Sequence, residues 1–153
     1  VTGVQTCALP ISPRSPIEKV KSITATLARN IEAEDTGSAI IRFQNGAIGS
    51  INVTMLTYPK NLEGSITILG EKGTVRVAGT SMNKIEHWEF ADKKDYDAET
   101  EQYNTNPTSV YGFGHSGYYR NVIEHLQGNV EPISNGPEGR KSLYLLEQIY
   151  KNK

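Results

Sequence analysis

From Val20 to Ala28, "VKSITATLA", apolar and polar residues alternate, with Ile23, Ala25 and Leu27 on one face and Ser22, Thr24 and Thr26 on the other. Period two with β-branched content predicts a half-buried strand. The stretch "GSAIIRFQNGAIGSINVTML" alternates on both sides of Asn45-Gly46, a pair that tolerates positive φ at both centres of a type I′ hairpin turn. "EGSITILGEKGTVRV" predicts a second hairpin, turning at Gly70-Glu71-Lys72-Gly73, and "KIEHWEF" (84–90) a further strand. Such short turns make the strands antiparallel neighbours. One face of the resulting sheet collects Ile51, Val53, Met55, Ile66, Ile68, Val75 and Val77. The other collects Ser50, Asn52, Thr54, Ser65 and Thr67. A Ser/Thr face with almost no charge can pack on another sheet or stay wet, and the pattern admits both.

Between Ala91 and Gly114 the periodicity stops. The segment is longer than the usual ~12–15-residue limit for structureless connections, which predicts a functional or a disordered loop. Gly117 to Gln127 then has the period of a helix, with Tyr119, Val122, Ile123 and Leu126 as its stripe and Gly128 at the C′ position. Asn135 and Glu138 have capping-box spacing, and Pro137 lies in the tolerant first turn of a second helix. Leu143, Leu146 and Tyr150 run down one side of it. Strands followed by helices predict an α+β fold: an open-faced, mainly antiparallel sheet with helices on one face.

The chain has 153 residues, enough for one domain, and a formal charge of −1, which supplies no electrostatic footprint for nucleic acid or an anionic membrane surface. No apolar run approaches the ~18 residues of a membrane span. "DKKDYDAETE", Asp92 to Glu101, mixes both signs and predicts a solvated loop. The single cysteine, Cys7, lies in "VTGVQTCALPI" (1–11), which reads codon for codon as a translated sequencing-library adapter. The expectation is that residues 1–11 are an artefact to be excluded from fold reasoning and that 12–153 are the authentic domain of a longer protein. That part holds no cysteine, so a disulfide framework and a thiolate site are excluded for it.

Chemistry concentrates in "YGFGHSGYY", Tyr111 to Tyr119. Gly112, Gly114 and Gly117 have the spacing of a dinucleotide-binding fingerprint. That fingerprint needs a buried strand before it, whereas "NTNPTSVY" precedes it here, so cofactor binding is not assigned to these glycines. His115 sits among Tyr111, Ser116, Tyr118 and Arg120, a set that can bond sugar hydroxyls, stack on a ring and pair with an anion. The competing reading is that His115 caps the helix or is merely exposed. His87 and His125 read as structural or solvated. No His/Asp/Glu set has metal-ligand spacing.

"EDTGSAIIRFQNGAIGSINVTML", "LEGSITILGEKGTVRV" and "GYYRNVIEHLQGNVEPISNGPEGRKSLYLLEQIYK" together resemble the C-terminal domain of the glucose–fructose oxidoreductase / inositol dehydrogenase / MocA family, over about Ile17 to Lys151. "GFGHSGYYRNVIEHL" is most similar to its nucleotide-sugar branch, the UDP-N-acetylglucosamine(uronate) 3-dehydrogenases. The resemblance implies a cytoplasmic two-domain enzyme that moves a hydride from a sugar carbon to NAD or NADP bound by an N-terminal Rossmann domain. It implies a sugar or nucleotide-sugar substrate and a homo-oligomer formed through the sheet face, without nucleic acid or membrane. The family's nucleotide loop and its Glu-Lys-Pro motif with the catalytic lysine have no matching position, so no catalytic, cofactor or metal residue is carried over. The expectation is a substrate-binding and oligomerisation domain that is inactive and cofactor-free alone, with Tyr111, His115 and Ser116 as substrate-contact residues. The alternative from another class is a non-catalytic sheet module for assembly or carbohydrate binding.

Overall fold

A computed structural model of the chain describes residues 5–7, 15–62, 64–107 and 113–153. Its strands are β1 (Gln5–Cys7), β2 (Ile17–Ala25), β3 (Thr36–Phe43), β4 (Ile48–Thr54), β5 (Ser65–Gly70), β6 (Gly73–Ala78) and β7 (Lys84–Phe90). A 3₁₀ helix covers Asp95–Tyr103, and α1 (Gly114–Leu126) and α2 (Gly136–Lys151) follow. The strands form one sheet in the order β2-β3-β4-β1-β5-β6-β7. It consists of two antiparallel three-stranded units joined through β1, which runs antiparallel to β4 and parallel to β5. The fold is α+β, as the order of periodicities predicts.

Both hairpins lie where the alternation places them, but the first turn is of another type. Gly46 N–H bonds to Phe43 O at 2.9 Å, Phe43 N–H bonds to Ala47 O at 2.9 Å, and Gly46 has φ 86°. Asn45 is not among the positive-φ residues. The chain therefore turns through three residues with one left-handed glycine, in place of a two-residue type I′ turn. Asn45 uses its side chain instead, accepting from Ala47 N–H at 3.1 Å. In the second hairpin Gly70 pairs with Gly73. Gly73 is required by close approach: a Cβ there would lie 2.3 Å from the Phe90 ring.

The register assigns the faces. Val20, Ala39, Ile41, Ile51 and Val53 share one side, and Ile66, Ile68, Val75 and Val77 continue it across β1. Val20, Ile41 and Phe43 form the buried core on this side, with Leu145 and Ile149 of α2 packed against them. Two expectations change here. Ile23 belongs to the opposite face and is 77% exposed, while Ser22 faces α2 and donates its hydroxyl proton to Ile149 O at 2.6 Å. On α2 the packed positions are Leu145 and Ile149, whereas Leu143, Leu146 and Tyr150 are exposed. That helix is apolar on more than one side, and its anchoring at Ser22 sets its rotation.

β2 also ends earlier than its alternation suggests. The Asp35 carboxylate accepts the N–H groups of Leu27, Ala28 and Arg29, each at 2.9 Å, which draws them off the sheet. Within the long polar segment, residues 91–107 are folded onto β7, not structureless. Trp88 donates its indole N–H to Asp97 at 2.8 Å, Ile85 N–H bonds to the Asn104 side chain at 2.7 Å, and Thr105 N–H bonds to Asn83 O at 3.0 Å. The charged run is exposed apart from Asp97 and Thr100.

Candidate functional site

The candidate residues gather at the start of α1. This helix begins at Gly114, three residues before the apolar stripe suggests, so His115 and Ser116 stand in its first turn and both are exposed. Tyr111 lies outside the described residues. Ser116 donates its hydroxyl proton back to Phe113 O at 3.3 Å. Phe113 occupies the N-cap position, its side chain makes no cap bond, and that turn holds no acidic residue. Such a turn presents N–H donors and the positive end of the helix dipole, a setting suited to a carboxylate or phosphate oxygen. Next to it Tyr118 and Tyr119 pack edge to face, with centroids 5.7 Å apart.

Gly114 and Gly117 lie inside the helix, without positive φ and with nothing within 4 Å of where a Cβ would sit. Their place is within the first turn of α1. Among the described residues the single parallel pair is the short β1 against β5, and residues 108–112, which precede α1, lie outside the described residues.

The far end of α1 is tied down. His125 Nδ1 bonds to Val130 O at 2.9 Å, so Nδ1 carries the proton in that bond. Asn121 donates to Glu131 O at 3.2 Å and accepts from Ile133 N–H at 2.8 Å. Gly128, with φ 78°, ends the helix as its C′ residue. At the head of α2, Asn135 accepts from Glu138 N–H at 3.0 Å as the capping spacing predicts, and the Glu138 carboxylate pairs with Lys141 at 2.6 Å. His87 lies 3.8 Å from Glu89 on the exposed edge strand. Among the described residues no group of His, Cys, Asp and Glu could hold a metal ion.

Two acidic residues carry more than their sequence context suggests. Asp35 is 2% exposed, and its three backbone N–H partners, joined by the Thr36 hydroxyl at 3.1 Å, hold its carboxyl well below the usual carboxylate range. Glu34 takes a bond from Lys153 at 2.6 Å, from Thr24 at 3.2 Å and from Tyr150 at 3.3 Å, and its pKa falls to about 2, chiefly through Lys153. Nothing in "EAED" marks them, because Asp35 is held mainly by backbone amides and Glu34 chiefly by Lys153, more than a hundred positions away.

An open-faced sheet with a buried stripe under α2 defines an α+β domain. The chain belongs to the glucose–fructose oxidoreductase / inositol dehydrogenase / MocA family: residues 14–153 match the oxidoreductase family's C-terminal alpha/beta domain. It is similar to the WlbA dehydrogenase from Bordetella pertussis, solved in complex with NADH and UDP-GlcNAcA, with 60% identity and a TM-score of 0.82 over 90% of this chain and 40% of that one. The WlbA dehydrogenase from Chromobacterium violaceum, solved with the same two molecules, shares 54% identity at a TM-score of 0.78, over 90% of this chain and 38% of that one. The UDP-N-acetylglucosamine 3-dehydrogenase GnnA from Acidithiobacillus ferrooxidans has the same fold at 13% identity and a TM-score of 0.57, over 90% of this chain and 40% of that one. The chain thus spans about 40% of the length of these relatives. No curated protein matches it. Among the described residues, no helix is long and apolar enough to cross a membrane.

Proposed function

We propose that this chain is the substrate-binding and assembly domain of a cytoplasmic, NAD-dependent nucleotide-sugar dehydrogenase. The observation that carries the reading is the 60% identity, over 90% of the chain, to an enzyme solved with NADH and UDP-GlcNAcA. Nicotinamide, as hydride acceptor, binds in the preceding part of the parent protein, as do the groups that take the hydroxyl proton. This chain supplies position. The first-turn N–H groups of α1 and the His115 and Ser116 side chains receive anionic and hydroxyl oxygens of the nucleotide sugar, with Tyr111 on the approach to the same turn. Gly114 and Gly117 place no side chain over that turn. Alone the chain holds sugar weakly and turns nothing over.

The open sheet face supports assembly. Ile23, Ile40, Ile48 and Leu69 are more than half exposed on it, among Ser38, Asn52, Thr36 and Thr54. Ser38 donates to Asn52 at 2.8 Å and the two threonine hydroxyls lie 3.0 Å apart, so these four side chains keep partners when the face is covered. A second copy is the partner of matching chemistry.

The test is His115→Ala in the full-length parent. The expected result is a loss of about tenfold or more in kcat/KM for the nucleotide sugar, with NADH affinity unchanged, as for one lost charge-assisted or sugar hydrogen bond. Unchanged kinetics would return His115 to a surface position of α1.

A further inference from the structure

The turn between β6 and β7 contains two left-handed residues. Gly79 has φ 98°, and Met82, with φ 54°, is the one non-glycine residue in that region among the described residues. A residue with a Cβ is strained there and persists where its surroundings hold it. Asn83 supplies that hold. Its Oδ1 accepts Ser81 N–H at 3.1 Å across the turn, and a Cβ on Gly79 would lie 2.5 Å from the same oxygen. Its Nδ2 donates to Thr105 O, and its main-chain carbonyl accepts Thr105 N–H at 3.0 Å. Beside this pair, Ile85 N–H bonds to Asn104 Oδ1 at 2.7 Å. Asn83 therefore clasps both backbone groups of residue 105. An amide suits the place because it is acceptor at one end and donor at the other. An aspartate would keep the first bond and set a carboxylate oxygen against a carbonyl in place of the second.

This clasp stands at the head of the segment that leads to the candidate site. Thr105 lies six positions before Tyr111, and Phe113 is the N-cap of α1. At its far end α1 is tied by Asn121 and His125 to residues 130–133, and these bonds stay within its own following turn. The helix after it, α2, is bonded to β2 through Ser22. The chain thus links α1 to the sheet from two sides, through α2 and through residues 104–105.

We propose that Asn83 is a positioning residue: its clasp on Thr105 fixes the start of the segment that carries Tyr111, and so sets where the first turn of α1 presents His115 and Ser116. The proposal rests on the reading of that turn as the nucleotide-sugar contact. Asn83 acts through the chain between, not by touching sugar. The left-handed backbone at Gly79 and Met82 closes the turn tightly enough for one side chain to reach Ser81 N–H and Thr105 O together, which gives the strain its purpose.

Asn83→Asp tests this, since it keeps the acceptor for Ser81 N–H and removes the donor to Thr105 O. In the 153-residue chain, amide hydrogen exchange at Thr105 should quicken at least about tenfold. At Tyr118 and Tyr119, whose N–H groups bond to first-turn carbonyls of α1, it should quicken at least about threefold. The Ile40 and Ile41 amides of β3 should keep their protection and so report an intact sheet. In the full-length parent the same substitution should raise KM for the nucleotide sugar at least about fivefold, with kcat within about twofold and NADH affinity unchanged, the split that lost substrate positioning gives. Thr105→Pro, which removes the bonded N–H from the other partner, should reproduce that split. Wild-type exchange at Thr105, Tyr118 and Tyr119 overturns the clasp, and quicker exchange with an unchanged KM overturns its part in substrate binding. An equal loss of protection at Ile40 and Ile41 in both variants overturns positioning in favour of general stability. The exchange readout uses neither sugar nor NADH, so a parent that oxidises no nucleotide sugar while Tyr118 and Tyr119 respond would overturn only the proposed function.

Discussion

Glu34 shows how much a single side chain can depend on distant partners. Lys153, Tyr150 and Thr24 converge on its carboxylate and hold its pKa at about 2, below the ordinary 4.5. A carboxylate depressed in the folded state contributes stability that is complete above its unfolded pKa and is lost as pH falls toward the folded value. The wild type should therefore lose urea stability progressively below about pH 4.5, and Glu34→Gln should flatten that decline. Matched urea midpoints at about pH 6 and pH 3 provide the measurement, and identical pH slopes for the two proteins would contradict it. Asp35 acts in the same direction but from within, through Leu27, Ala28 and Arg29. Neither residue is marked by spacing, whereas Asn135, Glu138 and Gly128 are, because a cap is made by neighbours in sequence and a carboxylate cluster across a fold is not.

At the scale of elements, alternation and helix period locate all six strands after β1 and both helices, because burying one face needs only that periodicity. They leave the turn type and the helix orientation open. The first hairpin turns through Gln44, Asn45 and Gly46 because Asn45 satisfies Ala47 N–H with its side chain. The second depends on Gly73 for another reason. Phe90 stacks edge-on against Trp88 with centroids 5.2 Å apart, and its ring occupies the space of a Gly73 Cβ. Gly73→Ala should cost about 1–3 kcal/mol by overpacking, read as a lower urea midpoint. The same substitution made with Phe90→Ala should cost less than the two single changes together, since the clash is then absent.

For the whole molecule the open sheet face is the decisive surface. Ile23, Ile40, Ile48 and Leu69 are exposed on it, with Lys21 opposite Ile40 and Arg42 opposite Ile48. The proposed self-association should appear in sedimentation of the chain, and Ile40→Lys should weaken it by at least about tenfold, the loss of one buried isoleucine. A monomer for both proteins at all concentrations would remove the assembly proposal. By itself the sequence determined the α+β class, the order of the elements, the helix caps and the family, since each follows from local periodicity or from residues close together in the chain. Only the tertiary structure decided which face of β2 is buried, how α2 is rotated, that residues 91–107 fold along β7, and that β4 and β5 are not direct neighbours in the sheet. Those features are set by contacts between segments far apart in sequence, where one anchoring bond such as Ser22 to Ile149 fixes the orientation of an element whose own pattern allows several.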